Sequence, residues 1–169
     1  RVNRWGVRVV MGHGGGPESG HRLEKVGKQS RFVDGLRYTD EETMDIVQQV
    51  LCGKVNKHLV SIINNLGGKA IGLCGLDGAL FQAKKLDEKY GLVGKIVKVE
   101  PQVVHDVLAC GYITVVSTVA LGIDQTPAYT LNADTAAEEL DITPGEEKLL
   151  LLTTPRGVLR DPKTARTPP

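Results

Sequence analysis

Apolar and polar positions divide the chain into short continuous apolar runs separated by amphipathic stretches. Residues 7–11 (VRVVM) are a β-branched run that stops at Gly12, the pattern of a short buried strand. Gly14, Gly15, Gly16 and Pro17 break the run, and residues 18–26 follow as a helix. Residues 32–39 lead into a long helix, with Thr39 and Glu42 spaced as a capping box at its start. Inside that helix Ile46, Val47, Val50, Leu51, Val55, Leu59, Ile62 and Ile63 recur at three- and four-residue spacing, and Gly67-Gly68 is its stop signal.

Beyond the glycines, residues 69–73 (KAIGL) read as a strand, and residues 80–83 and 92–99 as a hairpin-type excursion around a polar turn. Residues 102–110 form a short helix after Pro101, residues 113–117 (ITVVS) a strand, and residues 133–140 a helix. Residues 148–153 (KLLLLT) are one more continuous apolar run and read as a buried strand. Apolar strands alternating with helices define an α/β chain, with a largely parallel open sheet sandwiched by helices. Residues 1–159 are expected to be one unit and the polar residues 160–169 a loose tail. The last strand and turn have no following helix, so the fold reads as unfinished at that end.

Composition narrows the partners. The 169 residues carry 21 basic and 20 acidic side chains, a net charge of +1, and lack the basic stripe of a nucleic-acid or membrane-surface protein. Small molecules or other folded chains are the expected partners. No apolar run reaches the roughly 18–20 residues that cross a bilayer, and no signal peptide is read, although Arg1 is not an initiator Met. Cys52, Cys74 and Cys110 are widely spaced, without CxxC, and read as buried free thiols in a reducing compartment.

The chemistry concentrates at His13-Gly14-Gly15-Gly16-Pro17, between a strand and a helix. Unpaired backbone N–H groups and the positive end of a helix dipole favour an anion there, and glycines let the backbone approach it closely. On a phosphoryl group in transfer the same N–H groups would stabilise the developing charge. A tight turn alone would need only one such glycine. The pattern is neither a Walker A loop nor GxGxxG.

This loop resembles the first glycine loop of the acetylglutamate kinase family, within the amino acid kinase fold. Gly35-Leu36-Arg37-Tyr38-Thr39-Asp40 is similar to the family's GLRxTD, and Gly53-Lys54-Val55-Asn56-Lys57 to its GKVNK helix segment. Gly75-Leu76-Asp77-Gly78 is similar to a GxDG turn, and Asn132-Ala133-Asp134-Thr135-Ala136-Ala137 to NADTAA. The resemblance runs in order over residues 7–161 and disfavours relatives of the same fold that act on carbamate, a nucleoside monophosphate or aspartate. It implies phosphorylation of the γ-carboxylate of N-acetyl-L-glutamate by ATP with Mg²⁺, in arginine biosynthesis. Gly15 and Gly16 would donate backbone N–H bonds near that carboxylate and the moving phosphoryl group. Arg37 would grip the α-carboxylate, and Asp134 would be the catalytic carboxylate that orients lysines. His13 would hold the loop, Asn132 would cap the following helix, and Lys54, Asn56 and Lys57 would lie on a helix surface or interface.

The resemblance also has departures. Residues 1–6 lack the family's Lys-x-Gly-Gly turn, Thr130 replaces a substrate-contacting Asn, and Thr154 replaces an Asp of the nucleotide and metal side. The second catalytic Lys and most of the adenine pocket are not found, so no cofactor-binding or metal residue is assigned, and this chain alone is expected not to turn over. A non-catalytic homologue that keeps ligand binding or an assembly surface is the alternative. The long helix implies a homodimer, and residues 154–157 (TPRG) are similar to photosynthetic members that bind a PII-type nitrogen-signalling protein. The implied location is the cytoplasm or plastid stroma.

Overall fold

The computed structural model describes residues 7–141 and 149–152. Strand β1 (Val10–His13) runs into helix α1 (Gly16–Lys25), and a small antiparallel hairpin follows, β2 (Phe32–Val33) with β3 (Leu36–Arg37). Its turn is Asp34-Gly35, with φ of 49° and 82°. Positive φ at both central residues suits the twist of paired strands, and Asp-Gly is among the few pairs that adopt it cheaply.

The long helix is one helical rod in three parts: α2 (Glu41–Gln48), a π-helical stretch Gln49–Val55, and α3 (Asn56–Asn65). Its cap differs from expectation. Asp40, not Thr39, accepts from the Thr43 N–H at 2.8 Å. Thr39 is fully buried and bonds instead through its backbone to Tyr90 and Leu92. The rod ends at Gly67, whose φ of 81° gives the left-handed residue that closes many helices.

Strands β4 (Ala70–Gly75), β5 (Phe81–Lys85) and β6 (Gly94–Val99), helix α4 (Gln102–Ala109), strands β7 (Ile113–Gly122) and β8 (Ala128–Thr130), and helix α5 (Ala133–Asp141) complete the described elements. β7 is the centre of the sheet. Its first half is flanked by β1 and β4 and its second half by β5 and β8. β1, β4 and β5 run parallel to β7, whereas β8 runs antiparallel to β7, and β6 to β5. Thr130 also bridges to Val93, just before β6, so the trail β7–β5–β6–β8 returns to β7. The sheet is therefore mixed with a parallel majority around β7, and helices cover it.

Successive residues of a strand point to opposite faces. Val116 and Ala120 of β7 pack with Phe81, Leu108, Tyr129 and Ala136 beneath α4 and α5. Val119 packs on the other face with Met44, Val47 and Leu51 of the long rod. This two-faced burial is why β7 reads as a continuous apolar run.

The expected strand at 148–153 is not formed in its described part. Leu149, Leu150, Leu151 and Leu152 carry no strand structure and are all exposed, Leu152 at 93%. Apolar composition alone does not make a strand; its N–H and C=O groups need a paired edge. These four residues pair with no described strand. Lys148, Thr153, Thr154 and the expected tail 160–169 lie outside the described residues.

Candidate functional site

The glycine loop leaves the C-terminal end of β1 and turns directly into α1, whose first turn contains Pro17 and the acidic Glu18. Gly15 has no space for a side chain: a Cβ there would stand 2.7 Å from Leu51 Cδ2 and 3.3 Å from Val55 Cγ2. Gly16 faces open space, with nothing within 4 Å of its Cβ position. The π-helical stretch of the rod thus backs the loop on one side, and the Gly16 end of α1 is open on the other.

Behind the loop, His13 is clamped by Asn56. The Asn56 amide nitrogen reaches the carbonyls of Leu73 and Val115 at 3.2 and 3.0 Å, and its oxygen accepts from Lys57 Nζ at 3.0 Å. Carbonyls only accept, so that face of Asn56 must be the NH₂ group. The same NH₂ lies 3.1 Å from His13 Nε2, which must therefore accept, leaving the proton on Nδ1 to be donated to the Gly14 carbonyl at 2.8 Å. Burial lowers the His13 pKa, against a smaller opposing contribution from the Gly14 bond. His13 is thereby a neutral strut of the loop.

Asn56 is only 1% exposed, so its expected place on a helix surface or interface is corrected. It is a buried link between rod, sheet and loop. Lys57 donates to the Gly72 carbonyl at 3.0 Å, and Lys54 pairs with Glu18 of α1 at 2.5 Å, both at exposed positions. Spacing alone does not reveal Asn56. The only signal is that it sits one helical turn beyond Cys52 and one residue beyond Val55, on the side facing the sheet.

Arg37, at the end of the hairpin, projects over the start of α1. It donates to the Gly16 carbonyl at 2.9 Å and to Ser30 Oγ, and its guanidinium lies 4.8 Å from the Phe32 ring centre. Burial pushes its pKa down, although a guanidinium stays protonated in proteins. A stack on an aromatic face with hydrogen bonds at its edge fixes the plane of the fork. The guanidinium also passes close to Gly20, where a Cβ would stand in ordinary contact with it at 3.5 Å.

These parts share one cleft of about 260 Å³. Gly14, Gly15, Gly16, Arg37 and Thr130 all line it, together with Ser19, Phe32, Thr118 and Asn132. Thr130 ends β8 and donates its N–H to Leu92 at 3.1 Å. Asn132 caps α5, accepting from the Thr135 N–H at 3.0 Å. Asp134 is in the exposed first turn of α5, one residue past the lining residue Ala133, beside the cleft rather than in its wall. Among the described residues no group of three or more His, Cys, Asp or Glu side chains is placed to hold a metal ion. No described helix is long and apolar enough to cross a membrane.

A strand–glycine loop–helix unit, with the open helix end opposite a fixed guanidinium, has the chemistry to hold a small anionic molecule on an α/β scaffold. Residues 1–167 match the amino acid kinase family, and the chain belongs to that family. It is 48% identical over 164 residues to a protein of Clostridium beijerinckii named acetylglutamate kinase, covering 96% of this chain and 58% of that protein. It is 51% identical over 163 residues to a protein of the same name from Synechocystis, covering 96% of this chain and 54% of that protein. The chain thus spans little more than half the length of these relatives. Among solved structures, smu.665 from Streptococcus mutans matches with a TM-score of 0.87 at 25% identity, over 93% of this chain and 64% of that one.

Proposed function

We propose that this chain is the acyl-amino-acid-binding part of an N-acetyl-L-glutamate kinase, which transfers the γ-phosphoryl group of ATP to the substrate's γ-carboxylate. The single observation that carries this reading is the position of Arg37 opposite the open N-terminus of α1 in one cleft sized for a short dicarboxylate. One carboxylate would replace the Gly16 carbonyl as the partner of Arg37, in a bidentate, charge-assisted pair. The other would lie at the Gly15 and Gly16 amides, where α1's dipole favours negative charge. Thr130 would contact the body of the substrate, and Asp134 would act from the rim as a positioning carboxylate.

Transfer needs little covalent chemistry from the protein; positioning and charge stabilisation supply most of the rate. ATP, as co-substrate, supplies the phosphoryl group, and the open Gly16 end of α1 fits an anion of that kind. Mg²⁺ is the usual companion of ATP, but the described residues offer no cluster to hold it, so no step is assigned to it. We propose further that two copies pair along the long rod, where Ile62 and Leu66 are exposed, and that a PII-type partner meets residues 154–157. The setting would be the cytoplasm or plastid stroma.

Isothermal titration tests the reading. N-acetyl-L-glutamate should bind the chain, and Arg37→Ala should weaken binding by roughly ten- to a hundred-fold, the loss of about 1.5–3 kcal/mol of charge-assisted hydrogen bonding. Titration of an unaltered, folded chain without heat or saturation would end the proposal. A second reading, a homologue that binds without catalysing, is favoured by Thr130, which lacks an amide's paired donor and acceptor. Binding of the acyl amino acid without binding of ATP, and no substrate-dependent ATP consumption, would support it for this chain.

A further inference from the structure

Two of the cysteines meet between the long rod and the sheet, behind the cleft. Cys52 is in the π-helical stretch and Cys74 in β4, and their thiols lie within interaction range of each other. The register explains the meeting. Cys74 is the ladder partner of Ser117 across β4 and β7, so both side chains stand on the face that carries the rod. Ser117 Oγ lies 3.3 Å from Cys52 Sγ. Both thiols are half-buried, and Cys52 also borders a surface depression with Asp45, Gln48, Gln49 and Gly53, which gives a small oxidant a way in. Cys110 is exposed and follows α4, so the expectation of three buried thiols is corrected: none of them is fully buried.

We propose that Cys52 and Cys74 are a peroxide-oxidisable dithiol, a modification site that closes to a disulfide and ties the rod to β4 beside the glycine loop. The two thiols are asymmetric. The interaction between them lowers the Cys52 pKa and, with burial, raises that of Cys74; Lys57 favours the Cys52 thiolate and Asp77 opposes it. The pair therefore loses its first proton from Cys52, the form that acts as nucleophile. The Cys52 thiolate attacks one peroxide oxygen; an S–O bond forms, the O–O bond breaks, and the second oxygen leaves as water after taking a proton. Cys74 sulfur then attacks the Cys52 sulfenic acid; the S–S bond forms, the S–O bond breaks, and the leaving hydroxyl takes the Cys74 proton to leave as a second water. The two thiols lose two electrons in total and hydrogen peroxide gains them. The new bond would lie next to Leu51, the side chain that packs against Gly15.

The test is peptide mapping of the whole folded chain after mild hydrogen peroxide treatment, digested without reductant. A linked peptide containing Cys52 and Cys74, lighter by two hydrogens and separated again by dithiothreitol, is the expected result. In Cys74→Ser, dimedone should trap a sulfenic acid at Cys52, and in Cys52→Ser the Cys74 thiol should stay reduced. Oxidation at Cys110 while Cys52 and Cys74 stay free to alkylation would overturn the proposal. So would stepwise oxidation of Cys52 in the unaltered chain without pairing to Cys74. The unaltered chain decides the matter even if a variant does not fold.

Discussion

Asn56 stands between Val55 and Lys57 in a polar stretch of sequence, yet its side chain joins three parts of the molecule. Replacement by Ala would remove the amide bonds to the Leu73 and Val115 carbonyls and to His13 Nε2, leaving Leu73 O with Ser117 Oγ at 3.4 Å. Asn56→Ala should cost about 1–3 kcal/mol of stability, read as a lower urea midpoint. The loop's response to pH follows from the burial of the His13 ring. The folded His13 pKa is depressed, so its contribution to stability is complete above the unfolded value of about 6.5 and is lost as pH falls through the folded value. An NMR titration should show the His13 ring ionising below that ordinary value. Ionisation at or above it would mean that the His13 ring is not held in the buried position described.

The start of the long rod shows how an element can be right while its cap is wrong. Thr39 and Glu42 fit a capping-box spacing, but Thr39 is drawn into the fold by its backbone bonds to Tyr90 and Leu92, which leaves Asp40 to close the helix. That choice depends on a contact some fifty residues away and cannot be read locally. β8 escaped the sequence reading for a related reason, being three residues whose strand character comes from β7 and Val93. The apolar run 149–152 misled in the opposite direction, since its composition suits a strand and no described edge receives it. By contrast, the glycine loop, the rod, the β5–β6 hairpin and α5 were legible, because periodicity and turn residues are local signals. Arg37 and the loop were named from sequence, whereas Ser30 and Phe32, which set the guanidinium, were not. At the cap itself, the bonds from Lys28 and the Thr43 N–H hold the Asp40 carboxyl down at about 2. Asp40→Ala should therefore lower stability by about 1 kcal/mol, whereas Asp40→Asn, which keeps the cap oxygen, should lose less. The charge contribution is present above about 4, the unfolded carboxylate value, and is lost as pH falls toward 2. Equal urea midpoints for Asp40→Ala and the unaltered chain would refute the assignment of this cap.

For the molecule as a whole, the question is what covers the outer side of the rod. Leu66 is 82% exposed and Ile62 41%, at positions four apart and hence on one helical face. Single exposed apolar residues are ordinary, but these continue a helix whose inner face is already spent on Val119 and Ala128. A second copy would cover them through a two-fold contact, in which each side chain is buried twice. Burying a Leu contributes about 1.5–3 kcal/mol, so Leu66→Glu would remove it from both protomers and weaken such a dimer by at least a hundred-fold. Sedimentation velocity should then show the unaltered chain at twice the mass of Leu66→Glu at the same concentration. Because Leu66 contributes little to the monomer's core, the variant's unfolding midpoint at high dilution should match that of the unaltered chain. A single monomeric boundary for both proteins at micromolar concentration would remove the rod from consideration as the pairing surface.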